Sequence, residues 1–199
     1  MHGLINRAIQ NFVRDTYGEA TWKRVAADAA IDTPDIEAMM DYDDEVTWAL
    51  LEAVQAALTR DRGEVLENIG TYLVSHPNVE RLRRLLRFGG VDFIDFLHSL
   101  DDLPGRARLA VSDLDLPEME LREHGGGRFS LTCRGGEPGW GHVMIGILRA
   151  LADDYGALVM LEFRDRRRGD EIVDIALVEH DYAEGRDFRL AGSGDTGHG

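Results

Sequence analysis

The sequence predicts an α+β fold, with a helical N-terminal half followed by a four-stranded antiparallel sheet that carries an inserted helix. Up to about residue 112, apolar residues recur every three or four positions, the period of a helix with one buried face. Beyond it, four short segments alternate polar and apolar residues with β-branched enrichment, the period of a strand. The order strand–strand–helix–strand–strand suggests an antiparallel sheet with the helix on one face.

The elements follow in order. In "LINRAIQNFVRDTYG", Ile5, Ala8, Ile9, Phe12 and Val13 fall on one helical face, and Gly18 supplies the stop. "EATWKRVAADAA" groups Trp22, Val25, Ala26 and Ala29. "DTPDIEAMM" reads as a helix start, with Thr33 as N-cap and Pro34 in the first helical position. "DDEVTWALLEAVQAALTR" and "DRGEVLENIGTYLVSH" are two more amphipathic helices, and "NVERLRRLLRFGG" runs to a glycine pair. "VDFIDFLHSLDDL" begins a further helix, which Pro104 tends to end at Leu103. The strands are "EMELREH", "RFSLTCR", "ALVMLEFRDRR" and "EIVDIALVEHD", joined by glycine-bearing turns. Between the second and third strands, "GWGHVMIGILRALADDYG" carries a stripe of Val143, Ile147, Leu148 and Leu151. The expected organisation is one domain over 1–181, with a helical half at 1–112 and a sheet half at 113–181. A flexible glycine-rich tail at 182–199 completes the chain.

Composition narrows function. The 199 residues are 44% hydrophobic and 30% charged, as in an ordinary globular protein. A net charge of −15 argues against nucleic acid and anionic membrane surfaces as partners. No signal-peptide pattern or membrane-span-length apolar run is present, so a soluble cytoplasmic protein is expected. The lone Cys133 excludes an internal disulfide and multi-cysteine metal sites, and without a local base it reads as no nucleophile. The seven histidines show no HxxxH or HExxH spacing. The glycine-bearing "HGGGRF" and "GEPGWG" lack the lysine and the strand–glycine–helix order of a phosphate loop, and read as turns. "RRLLR" and "RDRRR" read as solvated faces or turns. No catalytic set is recognisable, so an enzyme is not expected.

The opening "MHGLINRAIQNFVRDTYGEATWKRVAADA" resembles that of the heme-nitric oxide/oxygen binding (H-NOX) domains, including the sensor domain of soluble guanylate cyclase. The likeness lies in the initial Met-x-Gly, the amphipathic first helix ending in "YG", and the Trp22 helix. "FLHSLDDL" and "GHVMIGILRALADDYG" follow in the family's order, and the resemblance covers about residues 1–181. It implies heme b between the two halves, a proximal histidine on iron, and a Tyr-x-Ser-x-Arg clamp on the propionates. It further implies nitric oxide or another diatomic gas as ligand. The signal would pass to a separate partner such as a kinase or cyclic-nucleotide enzyme, because the chain leaves no room for an output domain.

Two positions depart from the pattern. Pro104 stands at the proximal histidine's place, and proline cannot ligate iron. The clamp lines up on Ser130, Thr132 and Arg134, with Ser130 replacing the tyrosine. His98 is the histidine in the right helix, but it lies six residues early, roughly 9 Å along the axis and about 120° around it. The expectation is therefore a heme-binding sensor with non-standard iron ligation, by His98 or else by His142 or His2. The alternative is a heme-free module of the same fold that binds a protein or another ligand.

Overall fold

The computed structural model describes residues 2–31, 35–112, 114–167, 169–180, 182, 183 and 185, with backbone alone for 81, 82, 110 and 165–167. The expected Thr33 cap with Pro34, and the tail from 186 onward, lie outside the described residues.

The helical half comprises α1 (Gly3–Tyr17), α2 (Glu19–Asp28), α3 (Asp44–Leu58), α4 (Arg62–Ser75), a 3-10 turn (Pro77–Val79), α5 (Glu80–Arg87), α6 (Phe93–His98) and α7 (Leu103–Ala110). The sheet half follows as β1 (Glu118–Gly125), β2 (Arg128–Arg134), α8 (Trp140–Tyr155), β3 (Leu158–Arg167) and β4 (Asp170–Glu179). The strands lie in the order β1-β2-β4-β3 and every pairing is antiparallel. This is the α+β architecture, with its inserted helix, that the change of period predicts.

Side chains cap the helices. His2 Nδ1 accepts the Leu4 N–H at 3.1 Å at the start of α1, and Asp61 accepts that of Glu64 at 2.9 Å at the start of α4. Each satisfies a donor that the first helical turn leaves unpaired. One continuous core buries Trp22, Phe12, Leu50, Phe96 and Leu148, among others, and so joins both halves.

Two helical expectations need correction. Residues 36–40 are not helical. Ile36 instead buries its side chain, while Gln10 Oε1 accepts its N–H at 2.9 Å and Arg7 donates to its carbonyl at 2.8 Å. Side chains of α1 thus satisfy the backbone groups that a helix would have paired. Pro104 does not end a helix but stands in the first turn of one, α7. The preceding helix has already stopped at Ser99, whose hydroxyl bonds the Phe96 carbonyl at 2.7 Å and whose own carbonyl accepts from Arg106 at 3.2 Å. In a first turn the missing N–H of proline costs nothing, because that position has no intrahelical acceptor.

The seam between α4 and α8 joins the halves, and it is glycine-lined. A Cβ on Gly70 would stand 2.1 Å from the Val143 carbonyl oxygen, and one on Gly146 would stand 2.0 Å from that of Glu67. Only glycine permits this backbone approach.

Candidate ligand cavity

An apolar cavity of about 240 Å³ lies where α1, α3, α4 and α5 meet α7, α8 and the segment leading into β1. Helical periodicity aims its walls: Ile5 and Ile9 of α1, Leu66 and Ile69 of α4, Leu103 and Ala107 of α7, and Val143 and Ile147 of α8. Trp48 and Trp140 add indole surface.

Few polar side chains reach the lining. Thr47 is buried, and its hydroxyl donates to Asn6 Oδ1 at 2.6 Å, so the oxygen faces its surroundings only as an acceptor. Glu137 is the one ionisable side chain among the lining residues. The loop that carries it is fixed by Glu171, a buried carboxylate of β4 that accepts the N–H groups of Gly139 at 2.8 Å and Gly141 at 2.7 Å. An anion at the start of α8 also suits the helix dipole. Arg62 stands behind Trp48, 4.1 Å from its ring centroid, and donates to the Pro138 carbonyl at 3.2 Å. Burial lowers the pKa of this guanidinium, while Glu171, Glu137 and Glu52 act to raise it.

The residues singled out in the sequence lie elsewhere. His98 ends α6 at the surface, its side chain 52% exposed, with Nε2 3.8 Å from Glu123 and its ring edge-on to Phe129. Ser130, Thr132 and Arg134 do come together, on one face of β2, but it is the face opposite the buried Phe129, Leu131 and Cys133. There Arg134 pairs with Glu120 and lies 3.5 Å from Asp170, while Ser130 Oγ bonds His124 at 2.8 Å. None of the three lines the cavity. His142 stacks on Phe163 with centroids 4.1 Å apart and bonds Glu67 at 3.2 Å, and His2 is committed to the α1 cap; neither lines the cavity. Burial pushes the Cys133 thiol up to about 12, with Glu171 adding to the shift, so it is no nucleophile. Among the described residues, no group of three or more histidine, cysteine or acidic side chains is placed to hold a metal. No helix among them is long and apolar enough to cross a membrane.

The basic "RRLLR" segment is more than a solvated face. Arg83 makes a two-point pair with the buried Asp154 of α8, at 2.6 and 2.8 Å. Arg87 lies 3.8 Å over the Tyr155 ring, so α5, a cavity wall, is bolted to the end of α8. Sequence reasoning missed both this pair and Glu171. The strand alternation that sends Val173 and Ile175 inward also sends Glu171 inward, and an acid at such a position was the available signal.

A helical part joined to a four-stranded antiparallel sheet, with an apolar cavity at their meeting, defines the class: a two-part fold of H-NOX type. H-NOX crystal structures share it. The unliganded Fe(II) protein from K. algicida superimposes with a TM-score of 0.77 at 15% identity, covering 92% of this chain and 100% of that one. An H-NOX protein from S. oneidensis in the Fe(II)NO state gives 0.74 at 14%, covering 89% and 99%. The haem-NO-binding family profile matches residues 2–163, and the chain belongs to that family. Soluble guanylate cyclase 89Db of Drosophila melanogaster is 23% identical over 167 residues, which is 82% of this chain and 24% of that protein. Soluble guanylate cyclase gcy-31 of Caenorhabditis elegans is 24% identical over 166 residues, 83% of this chain and 24% of its own length. The chain thus spans about a quarter of the length of these cyclases.

Domains of this family bind heme, and heme b needs an axial donor for iron and cationic partners for two propionates. The cavity lining offers no histidine, cysteine, tyrosine, lysine or arginine, and its one charged group is an acid. Its volume also falls below the roughly 300–1,000 Å³ of pockets for drug-sized ligands. Pro104 is buried beside the lining residue Leu103 and offers no side-chain donor. The donor set of this cavity does not fit a ligated heme.

Proposed function

We propose that this chain is a sensory domain of the haem-NO-binding family that works without an iron–histidine bond. A small apolar ligand in the cavity sets how α4, α5 and α7 sit against α8. The observation that carries the reading is the lining itself, aliphatic and indole with Glu137 as its only ionisable member. The domain acts in the cytoplasm, has no catalysis of its own, and passes ligand state to a separate signalling protein, a kinase or a cyclic-nucleotide enzyme. Support for an output of that kind comes from its likeness to soluble guanylate cyclases, whose remaining length lies outside the match.

The competing account keeps heme b, with His98 on iron and nitric oxide as the gas. It requires His98 to leave Glu123 and Phe129 and turn into the cavity. An absorption spectrum of the protein, purified after expression with a heme precursor, separates the two. The expected spectrum has no Soret band. A Soret band at one heme per chain that His98→Ala abolishes would establish the competing account.

A further inference from the structure

We propose that β3 is a self-pairing edge: two copies of this chain join β3 to β3, antiparallel about a two-fold axis at Phe163, and so merge their sheets into one. The proposal concerns the rim of the sheet and stands apart from the cavity and its ligand.

The strand order β1-β2-β4-β3 makes β3 an edge, and among the described residues it pairs only with β4. An edge of this kind presents a row of backbone groups that can accept another strand. Its core-side residues Val159, Leu161 and Phe163 are only partly buried, whereas Val173 and Ile175 of the neighbouring β4 are fully buried. A further strand would complete their cover. His142 stacks on Phe163, so the flank of α8 that overlooks β3 is the one bearing His142 and, two turns on, Arg149. The Arg149 side chain is 52% exposed, so this flank faces solvent and leaves the edge open to approach.

Charge selects both the occupant and the register. Met160, Glu162 and Arg164 alternate with the core-side residues and are exposed on the outer face. Across the β3–β4 ladder Glu162 stands opposite another acid, Asp174, an unfavourable like-charge neighbour. Arg164 gives its Nε to Asp174, and the terminal amino groups of its fork can serve a second carboxylate. An axis at Phe163 sets Glu162 of each copy opposite Arg164 of the other, which makes two equivalent ion pairs and places the two Phe163 rings side by side. An axis at Glu162 or Arg164 would put like charges face to face, and one at Leu161 would set Glu162 against Met160. Symmetric pairing requires a stretch that is its own complement, and Glu162-Phe163-Arg164 is such a stretch.

Sedimentation equilibrium of the full chain tests this, alongside Glu162→Arg, Arg164→Glu and an equimolar mixture of the two variants. The expected result for the unmodified chain is a reversible monomer–dimer equilibrium with a dissociation constant below about 0.5 mM. Each single variant sets like charges opposite at both sites and should weaken the dimer at least about tenfold. The mixture should dimerise as the unmodified chain does, because both arginines of the first variant then meet glutamates of the second. Circular dichroism matching the unmodified chain verifies that each variant is folded. Arg164→Glu gives up its bond to Asp174, and if it unfolds, Glu162→Arg alone decides the outcome. A chain that stays monomeric over this range, a dimer that Glu162→Arg leaves unchanged, or a mixture of folded variants that does not associate would overturn the proposal.

Discussion

Arg83 of α5 holds the carboxylate of Asp154 at the end of α8 by two hydrogen bonds, of 2.6 and 2.8 Å, and Asp154 is buried. Both helices line the cavity, through Leu85 and Leu86 on one and Val143, Met144 and Ile147 on the other. A change in cavity width therefore has to work against this pair. Arg83→Met leaves a buried charge without its bidentate partner and should destabilise the fold by about 3 kcal/mol, read as a lower urea midpoint.

Gly146 sets the second fixed point. Gly146→Ala drives a Cβ into the Glu67 carbonyl and pushes α8 away from α4. The expected loss is about 3 kcal/mol, with faster hydrogen exchange confined at first to these two helices. A thermal midpoint equal to that of the unmodified chain would show that the seam is looser than its geometry implies.

Asp15 makes part of the stability depend on acid. Burial opposes its charge, but hydrogen bonds from Tyr72 at 2.5 Å and Asn78 at 2.9 Å, with His76 and Arg14 nearby, outweigh it. The net result is a carboxyl held below its ordinary value of 3.8. The unfolded chain then binds the proton more readily, so this contribution is complete above the ordinary value and is lost as pH falls through the lower, folded one. Asp15→Asn should flatten the fall of stability with pH below about pH 4.

Cys133 should be inert. With its thiol pushed up to about 12 and its side chain buried, a disulfide reagent at about pH 8 should modify the native chain only as fast as it opens. Modification at the rate of a free thiol would contradict the buried placement.

Much of the fold is legible in the sequence, because burial on one face leaves a period that needs no tertiary knowledge. The strands of "RFSLTCR" and "EIVDIALVEHD" and the helix of "GHVMIGILRALADDYG" are of this kind. Residues 36–40 were not legible, since their backbone partners, Gln10 and Arg7, come from a different helix. The break between α6 and α7 was hidden for a similar reason: Arg106 reaches back to the Ser99 carbonyl. The cavity was harder still, because its walls come from segments more than a hundred residues apart, such as Ile5 and Met144. The clamp residues show the opposite case. The alternation Phe129, Leu131, Cys133 against Ser130, Thr132, Arg134 already separates the two sets by face, as β2 has them.

The central claim is that this member of the haem-NO-binding family holds no ligated heme, and hemin titration of the purified chain tests it most directly. The expected result is no sharp Soret band at one heme per chain, in the unmodified chain and in His98→Ala alike. A stoichiometric band that His98→Ala removes would contradict the claim, and would place an iron–imidazole bond where the cavity lining has no imidazole.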